Sequence, residues 1–171
     1  MVVGFKADPK PCEWEPWHGS LTAFHPWYQS ILRSAQGAQP WAVVNSQLYV
    51  NYTHNGVPNA SGNPISATSR LDHPIHDPSD PITLATHIKW KASVTLSNAT
   101  VVLAISGYYW TSRIYLSAAD NGVVKTARLL DFASGSGFDN VICGFDIMAQ
   151  TSNGVGSVEC AIDYIDLYTP E

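Results

Sequence analysis

Charge is what this sequence has least of. Only 13% of its 171 residues are Asp, Glu, Lys or Arg, about half of the usual quarter. Nine basic residues against fourteen acidic ones give a net charge of -5, and no basic run occurs. Proteins that bind phosphate backbones carry a basic patch, so nucleic acid is excluded from the expected partners.

Long apolar runs are missing as well. No stretch approaches the 18 uninterrupted apolar residues that predict a membrane span. Residues 1–9 lack a basic segment followed by an apolar one and do not look like a secretory signal. We therefore expect synthesis in the cytoplasm without a signal peptide and no membrane span.

Cysteine is scarce, and Cys12, Cys143 and Cys160 cannot all pair. In the hairpin predicted below, the last two are not cross-strand neighbours, which indicates buried free thiols in a reducing cytosol. Three Asn-x-Ser/Thr sequons, beginning at Asn51, Asn59 and Asn98, are instead typical of a glycosylated secreted protein. The two interpretations exclude each other.

Catalytic and cofactor motifs are absent. The sequence has no Gly-x-Ser-x-Gly, no glycine loop of the kind that holds phosphate, and no His close in sequence to Cys143 or Cys160. We predict a non-enzymatic protein. A hydrolase whose active site is assembled from distant residues is the third hypothesis.

Alternating apolar residues predict strands at 141–149 and 158–168. The second segment keeps its alternation as far as Tyr164 and then changes phase to Ile165 and Leu167. This predicts either a bulge or a strand that changes neighbours near Tyr164. With the turn residues at 151–157, the two segments read as the closing hairpin of a β-sandwich.

Further strands are predicted at 41–52, 82–90, 92–96, 101–110, 113–118 and 123–132, with a flexible link at 133–137. About eight or nine strands at short spacing predict a single all-β domain over residues 1–171, a jelly-roll-like antiparallel β-sandwich. Residues 1–40 are predicted to be an irregular arm, residues 41–171 the sandwich, and residues 53–81 a long, proline-rich loop. The arm contains one predicted short helix at 26–36, because its apolar residues recur at helical spacing after a proline and before Gly37.

The arm is rich in aromatic residues. Each ring can bury on the order of 150–250 Å², and an irregular segment offers little to bury it against. We expect these rings to dock on the sandwich or on a neighbouring subunit. The predicted partner-binding residues are Trp14, Trp17, Trp27, Tyr28 and Trp41.

One polar loop suggests a metal ion. His73, His76 and Asp77 lie within five residues and have side chains that bind zinc or another divalent ion. The alternative is a loop stiffened by Pro74 and Pro78 in which the Asp side chains cap turns.

Three adjacent aromatic residues, Tyr108, Tyr109 and Trp110, suggest a surface on which sugar rings stack. Strand alternation would place Tyr108 and Trp110 on one side of the strand and Tyr109 on the other. At least one side of this segment is therefore expected to belong to the core.

Two segments resemble known jelly rolls. Residues 161–168, AIDYIDLY, are similar to the closing strand of carbohydrate-binding modules and of concanavalin-like lectin and glucanase domains, with the pattern I/V-D-x-I/V-x-L/V-Y. Residues 41–48, WAVVNSQL, resemble an early strand of those folds, with Ser46 where Gly is usual. The resemblance implies the jelly-roll fold and a glycan as partner, and Asp163 matches an acidic position that helps to hold a structural calcium ion in some modules.

The same resemblance argues against glucanase catalysis. Glucanases of this shape use two carboxylates of an E-x-D-x-x-E strand as nucleophile and acid/base. Glutamate occurs only at positions 13, 15, 159 and 171, none within that pattern. No cofactor other than calcium is implied.

Two functions therefore remain. The first is a structural or adhesion component of a larger assembly, most simply a phage-like virion protein of the tail, baseplate or capsid surface. Its partners would be other protein subunits in a homo-oligomer or larger particle, with surface glycan as an additional ligand. The alternative is a free-standing carbohydrate-binding module, supported by the closing strand and by the aromatic residues at 108–110.

Overall fold

The computed structural model describes residues 2–6, 28–32, 41–45, 47–56, 61–62, 66–74, 84–137, 141–152 and 154–170. Within these ranges the chain is mainly extended, and short 3-10 helices occur at Ala118–Asp120 and Leu129–Phe132. No described helix is long and apolar enough to cross a membrane. The strands are β1 Val2–Lys6, β2 Tyr28–Leu32, β3 Ala42–Val44, β4 Gln47–Asn55, β5 Thr68–Pro74, β6 His87–Ser97, β7 Ala99–Ser106, β8 Trp110–Tyr115, β9 Val124–Arg128, β10 Ala133–Gly135, β11 Gly144–Thr151 and β12 Val155–Tyr168.

The strands form two antiparallel sheets. The front sheet has the order β3-β4-β12-β6-β9, and β1 pairs with the last part of β12. The back sheet has the order β10-β8-β7-β11-β5-β2. This arrangement confirms the predicted all-β sandwich.

The core lies between the inward faces of the two sheets. Apolar side chains alternate along the strands and are fully buried, as expected for strands with one face in the core. Tyr52 of the front sheet spans the core, and its hydroxyl donates toward the carbonyl oxygens of Ala149, at 2.8 Å, and Ala67, at 3.1 Å. The largest buried side chains are Phe145, Leu48, Leu71, Ile88, Leu103, Ile105, Leu129, Ile142, Ile147 and Ile162.

The predicted closing hairpin is wrong. Strand β11 pairs with β5 and β7 in the back sheet, whereas β12 pairs with β4, β6 and β1 in the front sheet. Alternation shows which face of a strand is buried but not which strand lies beside it, and here the two apolar faces belong to opposite sheets. The predicted free thiols are present: Cys143 is half-buried and Cys160 is buried in the core.

Two features of the first half of the chain also differ from prediction. Tyr28–Leu32 is a strand paired with β5, and Val2–Lys6 is a strand paired with β12, so the helix expected at 26–36 is wrong where the structure describes it. A segment of five residues is too short to distinguish the helical period from the strand period. Here the edge of β5 is the partner that makes the segment a strand. The predicted loop at 53–81 contains β5, which lies inside the back sheet between β11 and β2.

Strand boundaries differ at three further places. The segments expected at 82–90 and 92–96 belong to the single strand β6, and the expected link at 133–137 contributes β10. The strand expected at 101–110 is divided by a turn at Gly107. A Cβ atom at Gly107 would lie 2.0 Å from the indole Nε1 of Trp110, so only glycine lets the chain turn back over this ring.

Candidate functional site

A bulge in β12 determines which side chains reach the outer surface of the front sheet. Ile162 pairs with Ala92 and Tyr164 pairs with Lys91, so Asp163 is the extra residue in β12. The predicted bulge is thus confirmed. After it, Ile165 continues the buried face, while the residues on either side of it turn outward.

The side chains brought together here form what we call the outer tyrosine face, which lies on the solvent side of strands β4, β6 and β12. Its tyrosines are half-buried, and polar groups surround them. The face consists of Tyr49, Asn51, His87, Lys89, Lys91, Glu159, Asp163, Tyr164 and Tyr168.

Asp163 connects the bulge to both neighbouring strands. Its Oδ2 lies 2.8 Å from Nζ of Lys91, and its Oδ1 accepts a hydrogen bond from Nε2 of Gln47. Calcium requires several oxygen ligands, whereas this carboxylate is already bound by a lysine ammonium and an amide. The geometry does not fit the calcium ion that the resemblance implies at Asp163, and we derive no role for calcium.

Hydrogen bonds and ring contacts hold the tyrosines of this face. The hydroxyl of Tyr49 donates to Oε1 of Glu159 at 3.0 Å and accepts from Nδ2 of Asn51 at 3.0 Å. The rings of Tyr168 and His87 have centroids 5.6 Å apart and planes inclined by 37°. Because neighbouring groups restrain them, these rings lose little freedom when a ligand binds.

Tyr164 lies between charges of both signs. Nζ of Lys89 is 6.0 Å from the centroid of its ring. Burial, then the carboxylate of Asp166, raises the pKa of Tyr164; Lys91 opposes these effects and Asp163 adds to them. A tyrosine of ordinary pKa is already protonated at neutral pH, and the raised pKa extends this range upward, so the hydroxyl of Tyr164 can donate a hydrogen bond to a ligand.

The spacing of the rings suits an extended ligand. Tyr164 and Tyr168 are four residues apart on one strand, which corresponds to about 13 Å at roughly 3.3 Å per residue. Tyr49 is paired with Ala161, so it continues the row beyond Tyr164. A chain of linked rings can contact all three tyrosines, whereas a single small molecule cannot.

The outer surface of the back sheet is different. Its centre is formed by Val102 and Ala104, which are 2% and 8% exposed, and Arg70 pairs with Asp146 at 2.6 Å. A cavity of about 320 Å³ lies where this sheet ends, lined by hydroxyl and amide side chains without an aromatic ring: Ser66, Thr100, Gln150, Thr151 and Ser152.

The predicted aromatic surface at 108–110 is only partly available. Tyr108 and Tyr109 occupy the turn between β7 and β8 and are 73% and 70% exposed, with ring centroids 6.5 Å apart. Trp110 is 3% exposed and belongs to the core, so it cannot stack on a ligand. The turn is held by hydrogen bonds from the Gly107 amide to the Trp110 carbonyl, 3.0 Å, and from the Ser136 amide to the Tyr109 carbonyl, 3.1 Å.

Trp41 is the only predicted partner-binding residue whose side chain the structure describes. It is 4% exposed, and its Nε1 donates to the carbonyl of Ser69 at 3.2 Å. Of the two arrangements expected for these rings, Trp41 has the first: it docks on the sandwich of its own chain, so its ring is not available to a partner. Trp14, Trp17, Trp27 and the side chain of Tyr28 lie outside the described part of the molecule.

The predicted metal loop also lies largely outside the described residues. The backbone of His73 belongs to β5, but its side chain is not among the described ones, and neither His76 nor Asp77 is described. In the described part of the chain, no group of three or more His, Cys, Asp or Glu side chains could hold a metal ion. Metal binding by this loop stays a prediction.

No protein-family model and no curated protein matches the chain. Solved structures of similar fold include carbohydrate-binding modules. The family 11 module of the cellulosomal cellulase Lic26A-Cel5E of Clostridium thermocellum has 10% identity and a TM-score of 0.48 over 100% of this chain and 96% of that one. A family 11 module from Clostridium thermocellum in complex with a β-1,3-1,4-mixed-linked tetrasaccharide has 13% identity and a TM-score of 0.43 over 88% and 92%.

A third structure, the carbohydrate-binding module TmCBM27, was described for specific mannan recognition. It has 10% identity and a TM-score of 0.42 over 100% of this chain and 96% of that chain. The expected resemblance to carbohydrate-binding modules is thus found in the fold. At this level of identity the likeness concerns the fold alone.

Sequence reasoning missed the outer tyrosine face. Simple alternation from Val158 assigns Tyr164 to the core, and only the extra residue at Asp163 turns it outward. The change of phase was visible in the sequence. Applied to each residue after the bulge, it would have predicted Tyr164 and Tyr168 on one exposed surface.

Proposed function

We propose that this chain is a non-catalytic glycan-binding module and that the outer tyrosine face is its contact surface. The observation that carries the proposal is the row of Tyr49, Tyr164 and Tyr168, half-buried and held among hydrogen-bonding groups on one sheet. The C–H-bearing face of a sugar is apolar and packs on an aromatic ring. Its hydroxyls need donors and acceptors at the edge of that ring.

The surrounding polar groups supply both. Glu159 and Asn51 beside Tyr49 offer an acceptor and a donor, and Lys91 beside Tyr164 offers a cationic donor. An open row on a flat sheet binds internal units of a chain without enclosing them.

Replacing Tyr168 or Tyr164 by Ala is expected to weaken glycan binding about tenfold or more, because each loses a stacking surface worth roughly 1.5–3 kcal/mol. A glycan array followed by isothermal titration of the best oligosaccharide measures this. Tyr115→Ala is the matched control, because Tyr115 is a 60% exposed tyrosine of the back sheet. Equal affinity for wild type, Tyr164→Ala and Tyr168→Ala would refute the proposed surface.

Tyr108 and Tyr109 provide the competing site in the same experiment. If the exposed turn binds the glycan, the double variant Tyr108→Ala/Tyr109→Ala loses binding while Tyr168→Ala retains it. We expect the reverse. The turn leaves both rings mostly in solvent, so each would lose more freedom on binding than the restrained rings of the outer tyrosine face.

The second candidate is the structural or adhesion component of a larger assembly, including the phage-like virion protein predicted from the sequence. The observation in its favour is the paired, exposed rings of Tyr108 and Tyr109, which suit a protein contact as well as a sugar. Light scattering tests it: an assembly component forms a stable oligomer that Tyr108→Ala/Tyr109→Ala weakens. A monomer at all concentrations would count against this function and leave the free-standing module.

A further inference from the structure

Cations are concentrated on one side of the front sheet. Four of the nine basic residues belong to the neighbouring strands β6 and β9. Lys89, Lys91 and Arg128 lie on the outer face, and Lys125, paired with the buried Trp90, lies on the inner face. The chain as a whole has a net charge of -5, so this region is opposite in sign to the chain's net charge. The concentration adjoins the outer tyrosine face and bears on which glycan that face binds.

Two of these cations are already neutralised. Lys91 pairs with Asp163 at 2.8 Å, and Lys125 pairs with Asp120 at 3.0 Å. Among the residues that the structure describes, Lys89 and Arg128 form no ion pair. Lys89 lies near the ring of Tyr164, and Arg128 is exposed.

The strand register places Arg128 beside two aromatic rings. Arg128 is paired with His87, and His87 is paired with Tyr168 across β9, β6 and β12. Directly paired residues have Cβ atoms about 5 Å apart, and all three side chains point outward. Lys89 follows two residues after His87 on the same face, so the Tyr168–His87 ring pair lies between two cations without ion pairs.

The nearby carboxylates do not cancel both charges. Asp166 is paired in register with Lys89, but it is only 5% exposed. Its charge makes the electrostatic potential here less positive, but its carboxylate is not accessible to repel a ligand directly. Asp131, three residues after Arg128, makes no ion pair with it. Glu159 lies at the other end of the face beside Tyr49. Among the residues that the structure describes, the accessible charge at the Tyr168 end is therefore positive.

We infer that the Tyr168 end of the outer tyrosine face binds an acidic sugar, whose ring stacks on Tyr168 and His87 and whose anion is bound by Arg128 with help from Lys89. The inference rests on the glycan-binding function proposed above and names its substrate class. A guanidinium donates two parallel hydrogen bonds to a carboxylate or a sulfate. A carboxylate and a sulfate can each accept these two hydrogen bonds from Arg128.

The test compares neutral and acidic chains of the same linkage. The probes are hexasaccharides of β-1,4-linked glucose and of β-1,4-linked mannose, each in the neutral form, with carboxylates at C6 and with sulfates at C6. Titration calorimetry at 50 mM and 500 mM NaCl measures Kd for wild type, Arg128→Gln, Lys89→Gln and the control Arg113→Gln. Arg113 is an exposed arginine on the outer surface of the back sheet.

We expect one acidic series to bind about tenfold more tightly than its neutral counterpart at 50 mM NaCl, and the preference to shrink at 500 mM because salt screens exposed charges. Arg128→Gln should remove most of the preference without changing neutral binding, and Arg113→Gln should preserve it. The acidic series that binds more tightly shows whether the ligand is a uronic acid or a sulfated sugar.

Three outcomes would overturn the inference. Equal affinity for neutral and acidic chains, or a preference that survives Arg128→Gln and Lys89→Gln, refutes the acidic-sugar site. If wild type binds the neutral hexasaccharides and Tyr168→Ala does not, the glycan-binding function is still supported. Absence of binding to every probe contradicts both.

Discussion

Deleting Ala161 is expected to unfold the protein, whereas deleting Asp163, two residues later, should leave the fold intact. Without Asp163 the strand runs Ile162, Tyr164, Ile165, so every later residue keeps its present side of the sheet. The variant loses only the contacts of one half-buried carboxylate with Lys91 and Gln47. We expect a cost of about 1–2 kcal/mol.

Deleting Ala161 reverses the sides of Ile162 and Asp163. Ile162 is 0% exposed, and moving it to solvent costs roughly 2–3 kcal/mol. Moving the Asp163 carboxylate into the core without a partner costs several kcal/mol more. The sum is of the same order as the 5–15 kcal/mol by which a whole domain is stable.

Circular dichroism and urea unfolding of both deletion variants measure the difference. The variant lacking Asp163 should show a cooperative transition at slightly lower urea, and the variant lacking Ala161 should show none. Similar loss in both would mean that the bulge does not set the phase of β12. Substitution Asp163→Ala separates the loss of the carboxylate from the loss of the residue.

The sequence was sufficient for the fold class and for most of the longer strands, but not for β1, β2, β5 and β10. Alternation is a local property, so it predicted both β11 and β12 and even the phase change at Tyr164. Pairing is not local: the same apolar faces would fit one hairpin or two facing sheets, and only packing of the whole core selects the second. The five-residue strand Tyr28–Leu32 was misassigned for a related reason, because its partner β5 lies in a segment rich in prolines.

The candidate site was harder to predict than the fold. Adjacent aromatic residues at 108–110 drew attention because they are adjacent in sequence, yet Trp110 is needed by the core. Tyr49 and Tyr164 are 115 residues apart in the numbering of the chain, and β12 brings them together only because it is central in the front sheet. The sequence carried the bulge that exposes Tyr164, but not the neighbours that make a surface of it.

Core and surface are coupled at the bulge. The extra residue at Asp163 lets Ile165 and Leu167 stay in the core while Tyr164 and Tyr168 reach solvent. A regular strand could bury Cys160 with Ile162 or Ile165 with Leu167, but not both pairs, and burying the first pair would turn Tyr164 and Tyr168 inward. The feature that preserves the hydrophobic core therefore also creates the proposed contact surface.

Raising the pH above 10 is expected to destabilise the protein steeply, because two buried groups retain protons that the unfolded chain releases. Burial raises the pKa of the Cys160 thiol above its ordinary value of 9.0. Burial also raises the pKa of Tyr52 above its ordinary value of 10.0, although a backbone hydrogen bond at Ser69 partly opposes it. Raised values in the folded state mean stability that is complete below the unfolded pKa and declines as pH rises.

The expected slope follows from proton linkage. Between the unfolded and folded pKa values, each group removes about 1.4 kcal/mol of unfolding free energy per pH unit. From unfolded pKa values of 10.0 and 9.0, Tyr52 and Cys160 together remove about 2.3 kcal/mol between pH 10 and 11. Tyr164, whose pKa is also raised, changes stability in the same direction.

Urea unfolding at pH 8, 10 and 11 tests this for wild type, Tyr52→Phe, Cys160→Ala and the double variant. Tyr52→Phe is less stable at pH 8, because its removal leaves the carbonyls of Ala149 and Ala67 without their donor, at about 1–3 kcal/mol. Its stability should nevertheless fall less between pH 10 and 11, and least in the double variant. Val94→Ala, a core change without an ionisable group, should lower stability equally at every pH, and an unchanged slope in the double variant would show that neither buried group governs alkaline unfolding.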